Sequence, residues 1–326
     1  MDGHISLSPW CSRCCRLSIR AGPLVGLEDF CGQFPVVLPA YGLWVLSATT
    51  LATRPEFTVT TVNCRSDHTH LSAPEVRDDH RLVLVRRGRF RRQADGELAD
   101  LDRTVGYIGT PSEEEGFSHP AGGDICTAVT IAPRLMEGAV SPRAVYVDAR
   151  IELAHRRMLT AAAGGDIDYA VTEELVRLVA LAAGRPVPRP RPADRVLVTA
   201  AREAIIDGAP ESAGLRSLAA LLKVSQYRLS RVFSQHMGVT LTRYRNRIRV
   251  GQALDRIIDG ETGLADLAAH LGFADQAHLT RTVREHLGHT PTALHRLMTS
   301  PTNRTLESRT GVALIVAPQT PAALLT

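Results

Sequence analysis

The sequence predicts an α+β protein with a β-rich first part, a helical connector and an all-α last part. Three observations support this prediction. Short strand-like runs broken by turns occupy residues 34–148, helical periodicity begins at residue 149, and four prolines interrupt the chain between residues 185 and 193. A proline-dense stretch is incompatible with a helix interior, so it is expected to be an extended linker between domains.

The composition limits the class of protein. The chain has 326 residues, of which 44% are hydrophobic, enough for about two packed domains. The net charge of +4 does not by itself indicate a nucleic-acid partner. The cysteines do not have the pattern of a small disulfide-linked secreted protein, so we expect a reducing cytosol. They are Cys11, Cys14, Cys15, Cys31, Cys64 and Cys126.

Residues 1–33 show no periodicity and are expected to be a flexible leader. Its cysteine cluster, with Cys31 as a fourth thiol, leaves open a zinc site or thiol switch, although structural zinc usually takes two spaced pairs of ligands. The apolar run at 34–51 approaches the length of a membrane span, but Pro35 and Pro39 break it. We therefore expect strands of a globular domain there, and no membrane partner.

The β-rich part, residues 34–148, contains four runs with strand character separated by glycine, proline and aspartate. They are Phe57–Val62, Arg81–Val85, Val105–Ile108 and Cys126–Ile131. Short strands with frequent turns are typical of a small sandwich or barrel. The Cys64 and Cys126 side chains are expected to pack inside it as small hydrophobic groups.

Residues 149–184 form the predicted helical connector. Ile151, Ala154 and Met158 fall on one apolar stripe, and a second stripe follows from Leu175 to Ala182. The proline-rich linker comes next, at residues 185–193. The predicted all-α domain then extends over residues 194–298, and residues 299–326 are expected to be a flexible tail.

The last part repeats itself. Gly214–Leu222 and Leu229–Thr240 are echoed about fifty residues later by Gly263–Leu271 and Leu279–Thr290. Each unit consists of a short helix, a tight turn and a second helix, which is the pattern of a helix-turn-helix. The alternative is a helical repeat that binds protein. The outward polar residues of both second helices favour DNA, because Arg and Gln pair with base edges.

Local signals mark the ends of these helices. Ser225 and Asp275 are predicted N-caps of the two second helices, and glycines follow their last turns. The inward apolar positions of the first unit are predicted to be Leu218, Leu221 and Leu222. A helix from residue 241 to about 259 joins the units and is expected to place the second helices in successive major grooves, about 34 Å apart.

The stretches LAALLKVSQYRLSRVFSQHMGVTLTRYRNRIR and LADLAAHLGFADQAHLTRTVREHLGHTPTALHR resemble the AraC/XylS family of transcription regulators. The resemblance covers the last third of the chain and implies base-reading roles for Tyr227, Ser230, Arg231, Gln276, His278 and Arg281. Phosphate contacts are expected from Arg243, Arg245, Arg247 and Arg284. Lys223 stands where the family usually has glycine, so the first turn is expected to be looser or differently shaped. Ala277 stands where a polar residue is common.

In such regulators a cupin-like β-barrel often precedes the DNA-binding part and senses a small molecule or dimerises. His68, His70, Glu75 and His119 resemble the ligand pattern of a metal-binding cupin, which leaves a metal-dependent enzyme as an alternative. The glycine expected before the histidines is missing. We therefore interpret them as polar residues of a turn or pocket rim, and expect no metal, cofactor or catalytic residue.

The sequence as a whole predicts a cytoplasmic, sequence-specific regulator that binds double-stranded DNA. A small-molecule effector, a second copy of the chain and RNA polymerase are the other expected partners. Two alternatives stay open: a constitutive DNA-binding dimer without an effector, and a helical module that binds protein.

Overall fold

The computed structural model describes residues 46–65, 68–136, 144–185, 187, 191–261, 263–299 and 312–315. The predicted leader with its four cysteines lies outside the described residues. The same holds for most of the apolar run at 34–51, for part of the proline-rich linker and for most of the predicted tail.

The first part of the chain folds into two antiparallel sheets. The strands are β1 (Leu46–Thr53), β2 (Phe57–Cys64), β3 (Glu75–Val76), β4 (His80–Arg87), β5 (Phe90–Ala94), β6 (Glu97–Leu101), β7 (Val105–Gly109), β8 (Glu114–Ser118), β9 (Asp124–Ile131), β10 (Val145–Tyr146) and β11 (Val312–Ile315). Among the described residues, one sheet has the order β10-β7-β4-β9-β2-β1-β11, and the other has the order β3-β8-β5-β6. The predicted α+β class, with a β-sandwich first, is confirmed.

All four predicted strands are present, as parts of β2, β4, β7 and β9. Each contributes fully buried residues such as Val59 and Leu82, and this burial is what their apolar character predicts. Strands β5, β6 and β8 were not predicted: β5 and β8 carry mainly polar residues, and the apolar residues of β6 do not alternate regularly with its acidic ones. A turn at Asp95 and Gly96 joins β5 to β6, and both residues have positive φ, 46° and 80°. Two such residues in succession suit a tight hairpin turn.

Part of the expected flexible tail, residues 299–326, forms a strand. Residues 312–315 are β11, which pairs antiparallel with β1 from Leu46 to Thr49. The outer edge of β1 presents unpaired N–H and C=O groups, and a short β-prone segment such as Val-Ala-Leu-Ile satisfies them.

Two helices follow the sandwich, α1 (Ala149–Gly164) and α2 (Thr172–Ala183). The predicted stripe of Ile151, Ala154 and Met158 is buried against the large sheet together with residues of α2. Asp148 caps α1 by accepting hydrogen bonds from the N–H groups of Arg150 and Ile151. The opposite side of α1 contacts the helices of the last part of the chain, so this connector is packed on both sides.

The last part is helical. Its helices are α3 (Pro192–Ile206), α4 (Leu215–Leu221), α5 (Gln226–Met237), α6 (Leu241–Ile258), α7 (Leu264–His270), α8 (Gln276–Leu287) and α9 (Pro291–Thr299). Pro192, the last proline of the predicted linker, is in the first turn of α3, where its missing N–H costs nothing. Of the helices that the structure describes, none combines the length and apolarity needed to cross a bilayer.

One apolar core joins the sandwich to the first helical unit. It contains Val83, Leu101 and Tyr107 from the strands together with Leu197 of α3 and Phe233 of α5. The helical part is therefore packed directly against the sandwich and is not connected to it by the linker alone. Burial of apolar side chains on both sides, at about 25 cal/mol per Å² of area, supplies the attraction between them.

The buried histidine of α1 gives the protein a predicted pH dependence. His155 is 6% exposed, and its Nε2 lies 2.8 Å from Thr127 Oγ1 of β9. Burial, assisted by the nearby Arg86, lowers the pKa of His155 to about 3, so the folded protein holds it neutral. The unfolded chain takes up a proton near pH ~6.5, so the free energy of unfolding should fall by about 1.4 kcal/mol per pH unit below that pH.

His155→Gln should remove this contribution. Urea unfolding of the wild-type chain and of the variant between pH ~6.5 and ~5 measures both slopes. We expect the shallower slope for the variant. Equal slopes for the two proteins would show that His155 is protonated in the folded state.

Candidate nucleic-acid interface

The first helix-turn-helix unit is formed by α4 and α5. Ser225 caps α5 by accepting a hydrogen bond from the N–H of Arg228 at 3.2 Å, as predicted. Leu218 is buried, but Leu221 is 44% exposed, so the prediction that Leu221 faces inward was wrong. Leu221 ends a helix of only two turns on its solvent side, while Leu218 meets the core.

The second unit, α7 and α8, has the same construction. Asp275 caps α8 by accepting from the N–H of His278 at 2.6 Å. Gly238 and Gly288 follow α5 and α8 with φ of 67° and 75°, as expected for left-handed C-terminal residues.

The turns of the two units have equivalent geometry. Lys223 adopts a φ of 54° and donates its N–H to the carbonyl of Ala220 at 3.1 Å. In the second unit Gly272 has a φ of 70° and donates to Ala269, also at 3.1 Å. The expectation of a differently shaped first turn was wrong. The lysine is held in a left-handed conformation that favours glycine.

Helix α6 positions the two units. Residues of α5 pack with its first half, through Leu241, Tyr244 and Ile248. Residues of α8 pack with its second half, through Leu254 and Ile257. With 18 residues, α6 is about 27 Å long at 1.5 Å per residue. The two second helices are therefore attached to opposite halves of one rigid element.

Most of the predicted base-reading side chains are accessible. Tyr227 is 74% exposed, and Arg231, Gln276 and Arg281 are also exposed. Ser230 is half-buried. The two second helices thus present polar and basic side chains to solvent.

His278 is half-buried and turns back on its own unit. Its Nδ1 lies 3.3 Å from the N–H of Ala274, and its ring stands edge-on to Phe273 at 5.4 Å. Because Nδ1 accepts that hydrogen bond, only the Nε2 edge of His278 is free to face another molecule.

A groove of about 460 Å³ lies beside α5. Arg191, Arg228 and Arg231 contribute to its walls, and Asp194 lies 3.9 Å from Arg228. This arrangement concentrates positive charge next to α5, which favours an anionic ligand such as a phosphate backbone.

The predicted phosphate contacts divide into two groups. Arg243 and Arg284 are exposed and Arg245 is half-buried. Arg247 is only 1% exposed, and its Nε donates to the carbonyl of Val147 at 2.9 Å. The prediction that Arg247 contacts phosphate is therefore corrected, because its guanidinium lies inside the protein.

Arg247 belongs to an ionic cluster between α1 and α6. Its Nη1 lies 2.6 Å from Glu152 Oε2, and Arg156 Nη2 lies 2.6 Å from Asp255 Oδ1. Burial alone would raise the pKa of Glu152, but Arg247, Arg156 and Arg103 outweigh burial and lower that pKa to about 2. Glu152 is therefore ionised and binds the connector to the long helix.

A second buried ionic cluster joins α3 to the segment between β6 and β7. Arg202 pairs with Asp102, and both of its terminal nitrogens donate to the carbonyl of Asp100 at 3.1 Å. The Asp100 carboxylate accepts from Arg195 at 2.5 Å and from Thr199 at 2.9 Å. This network fixes the orientation of α3 on the sandwich.

The segment between β6 and β7 also contacts α5 indirectly, through Tyr244 of α6. Thr104 donates its hydroxyl proton to Asp102 at 2.6 Å, so the Tyr244 hydroxyl, 2.9 Å away, donates to Thr104. The Tyr244 ring stands edge-on to Phe233 of α5 at 5.1 Å. A continuous series of contacts thus connects the sandwich with α5.

The sequence alone did not predict these contacts between the sandwich and the helical part. Asp102 and Arg202 are 100 residues apart in the chain, and no local periodicity relates them. The one local indication of a strand with buried charge is the run Glu97–Asp102, in which acidic residues are interspersed with leucine and alanine.

The residues considered for a cupin-type metal set are only partly brought together. His68 and His119 are neighbours, with Nε2 and Nδ1 2.9 Å apart, and the His70 ring centroid lies 5.5 Å from that of His68. Glu75 instead pairs with Arg77 at 2.8 Å at the surface. The four residues considered as an alternative metal set are therefore not brought together.

Residues 218–296 match the family model described as a helix-turn-helix domain. No curated protein matches the chain significantly.

Three solved structures are similar to parts of the chain. The C-terminal domain of AraT, a response regulator from Geobacillus stearothermophilus, is 25% identical to the matched part, which makes up 37% of this chain and 97% of that domain, with a TM-score of 0.31. ToxT from Vibrio cholerae is 10% identical and covers 76% of this chain and 99% of that one, with a TM-score of 0.31. An RmlC-like cupin from Shewanella frigidimarina is 18% identical and covers 27% of this chain and 78% of that one, with a TM-score of 0.24.

The left-handed lysine yields a stability prediction. Lys223→Gly should raise the free energy of unfolding by up to about 1 kcal/mol, because glycine adopts positive φ without steric cost. The reciprocal change Gly272→Lys should lower it by at least about 1 kcal/mol. At Gly272 an added Cβ would also lie 3.0 Å from Arg249 Nη2. Urea unfolding of both variants measures these changes, and a destabilised Lys223→Gly would show that the turn is not strained.

Proposed function

We propose that this chain is a DNA-binding transcription regulator whose helices α5 and α8 read two successive major grooves of duplex DNA, since residues 218–296 match a helix-turn-helix domain. The observation that supports this proposal is the attachment of both helices to opposite halves of α6, each with its polar side chains exposed. A helical module that binds protein would not need this repeated basic and amide-bearing surface.

In this proposal the recognition helices specify sequence and the arginines around them fix register. Tyr227, Arg231, Gln276 and Arg281 reach base edges, with lesser contributions from Ser230 and from the Nε2 edge of His278. Arg243, Arg245 and Arg284 bind phosphates and supply affinity that does not depend on sequence.

We further propose that the β-sandwich controls DNA binding. Two contacts support this idea: the Asp102–Arg202 pair on α3 and the Thr104–Tyr244 hydrogen bond on α6. A small molecule that binds the sandwich and favours one arrangement of this segment would shift the orientation of the recognition helices. A homodimer and a contact with RNA polymerase are further proposals, which rest on the family resemblance alone.

Electrophoretic mobility shift with the DNA upstream of its own gene and of neighbouring genes tests the proposed function. We expect one or a few fragments to shift at protein concentrations that leave random DNA of equal length unbound. Equal binding of all fragments would contradict sequence-specific recognition, and no binding at all would favour the protein-binding module. Candidate metabolites added to the assay distinguish an effector-controlled regulator from a constitutive one.

Arg281 and Arg243 form a matched pair of exposed arginines for a sharper test. Arg281→Ala should cost about 1–3 kcal/mol of binding free energy on the preferred site and relax specificity at one or two base positions. Arg243→Ala should weaken binding to all sequences alike and lower the salt slope by about one. Binding titrations on single-base variants of the site at several salt concentrations measure both effects. Equal weakening on every sequence would make Arg281 a phosphate contact instead.

A further inference from the structure

Three side chains with metal-binding chemistry meet inside the β-sandwich, outside the DNA interface. Cys64 ends β2, Asp124 begins β9 directly opposite it, and His119 lies in the loop before β9. Their sulfur, oxygen and nitrogen donor atoms all lie within 4.8 Å of one another. The three residues are 3%, 5% and 6% exposed, so the donors are enclosed by protein.

The backbone around this cluster is closely packed. A Cβ at Gly123 would lie 2.0 Å from the carbonyl oxygen of Cys64, and a Cβ at Gly88 would lie 2.4 Å from the carbonyl oxygen of Gly123. Only glycine allows these approaches, and Gly88 also has a φ of 75°. The glycines therefore let the strand ends approach closely enough to hold Cys64 beside Asp124.

The hydrogen bonds behind His119 determine which of its nitrogens faces the cluster. His68 Nδ1 lies 2.8 Å from the backbone carbonyl of His70, so Nδ1 must carry a proton. The Nε2 of His68 lies 2.9 Å from His119 Nδ1, so one of these two nitrogens donates a hydrogen bond to the other. This leaves His119 Nε2 directed at Asp124 Oδ1, 2.8 Å away.

Two lone pairs at that distance would repel each other, so a proton or a metal ion must lie between the nitrogen and the carboxylate oxygen. The presence of the Cys64 sulfur favours a metal, because thiolate, imidazole and carboxylate together form a donor set that zinc accepts.

We propose that Cys64 Sγ, His119 Nε2 and a carboxylate oxygen of Asp124 bind one Zn²⁺. The fourth tetrahedral position is left for water or for a donor atom of an incoming small molecule. On binding, the thiol proton of Cys64, and the Nε2 proton of His119 where it is present, pass to solvent. His68 is a positioning residue, since it holds the ring of His119 through Nδ1, as ligating histidines are commonly held.

This site differs from the set considered in the sequence analysis, with which it shares only His119. Cys64 was expected to be a small hydrophobic side chain of the core. The pairing of β2 with β9 in register is what places the thiol opposite the carboxylate, and the sequence does not show this register.

Cobalt substitution in the full chain tests the proposal. The reference protein carries serine in place of the leader cysteines, so that they bind no metal. These are Cys11, Cys14, Cys15 and Cys31. We expect one Co²⁺ per chain, with the visible bands of a tetrahedral ion and a sulfur-to-cobalt charge-transfer band in the near ultraviolet, all displaced by one equivalent of Zn²⁺. A reference protein that shows no charge-transfer band would overturn the proposal.

Two thiol variants in this background assign the ligand. Cys64→Ser should lose the charge-transfer band. Cys126→Ser should keep it, because Cys126 only donates a hydrogen bond to Asp124 Oδ2 at 2.6 Å and serine preserves that bond. A band retained in Cys64→Ser, or lost equally in Cys126→Ser, would contradict the assignment.

His68→Ala is the variant that still tests the proposal if Cys64→Ser does not fold. It should retain the charge-transfer band while the affinity for Zn²⁺ falls about 10–100-fold, as for other residues that hold a ligand. Circular dichroism checks that each variant is folded. Unchanged affinity in His68→Ala would contradict the positioning role of His68, and loss of the band in a folded His68→Ala would contradict the assignment of the thiolate ligand. Because none of these readouts involves DNA, their failure would leave the proposed DNA binding untouched.

Discussion

The buried ion pair between Arg202 of α3 and Asp102 of the β6–β7 segment constrains how the helical part sits on the sandwich. Both side chains are under a tenth exposed. Breaking a buried pair by removing one partner typically costs about 3–5 kcal/mol, because the other charge is left without compensation. The apolar core around Leu197 and Phe233 supplies the attraction, whereas the ion pair selects the single orientation in which both charges are satisfied.

This constraint extends to the DNA-binding surface. Tyr244 is fully buried and connects Thr104 of the sandwich with Phe233 of α5, and the Glu152–Arg247 pair joins α1 to α6. The recognition helices are thus coupled to the sandwich through packed side chains and not through the linker alone. Control of DNA binding by the sandwich then requires a change in these contacts, since close-packed interfaces switch between discrete arrangements rather than deform continuously.

The features that the sequence predicted correctly are those that depend on residues close together in the chain. Four apolar strands, the caps at Ser225 and Asp275 and the glycines after α5 and α8 follow from short-range patterns, and the structure contains them all. Strands β5 and β8 were missed because they carry mainly polar residues, and β6 because its apolar residues do not alternate regularly with polar ones. The burial of Arg247 and the meeting of Cys64 with Asp124 were missed because both depend on partners far away in the chain.

Native-state hydrogen exchange followed by mass spectrometry tests the coupling between the two parts most directly. With increasing denaturant, peptides from β4 and β9 and peptides from α5 and α6 should lose protection at the same denaturant concentration, because one interface with buried charges joins them into one cooperative unit. Loss of protection in α5 and α6 at concentrations where β4 and β9 stay protected would contradict the account, since it would show a helical part that opens independently of the sandwich.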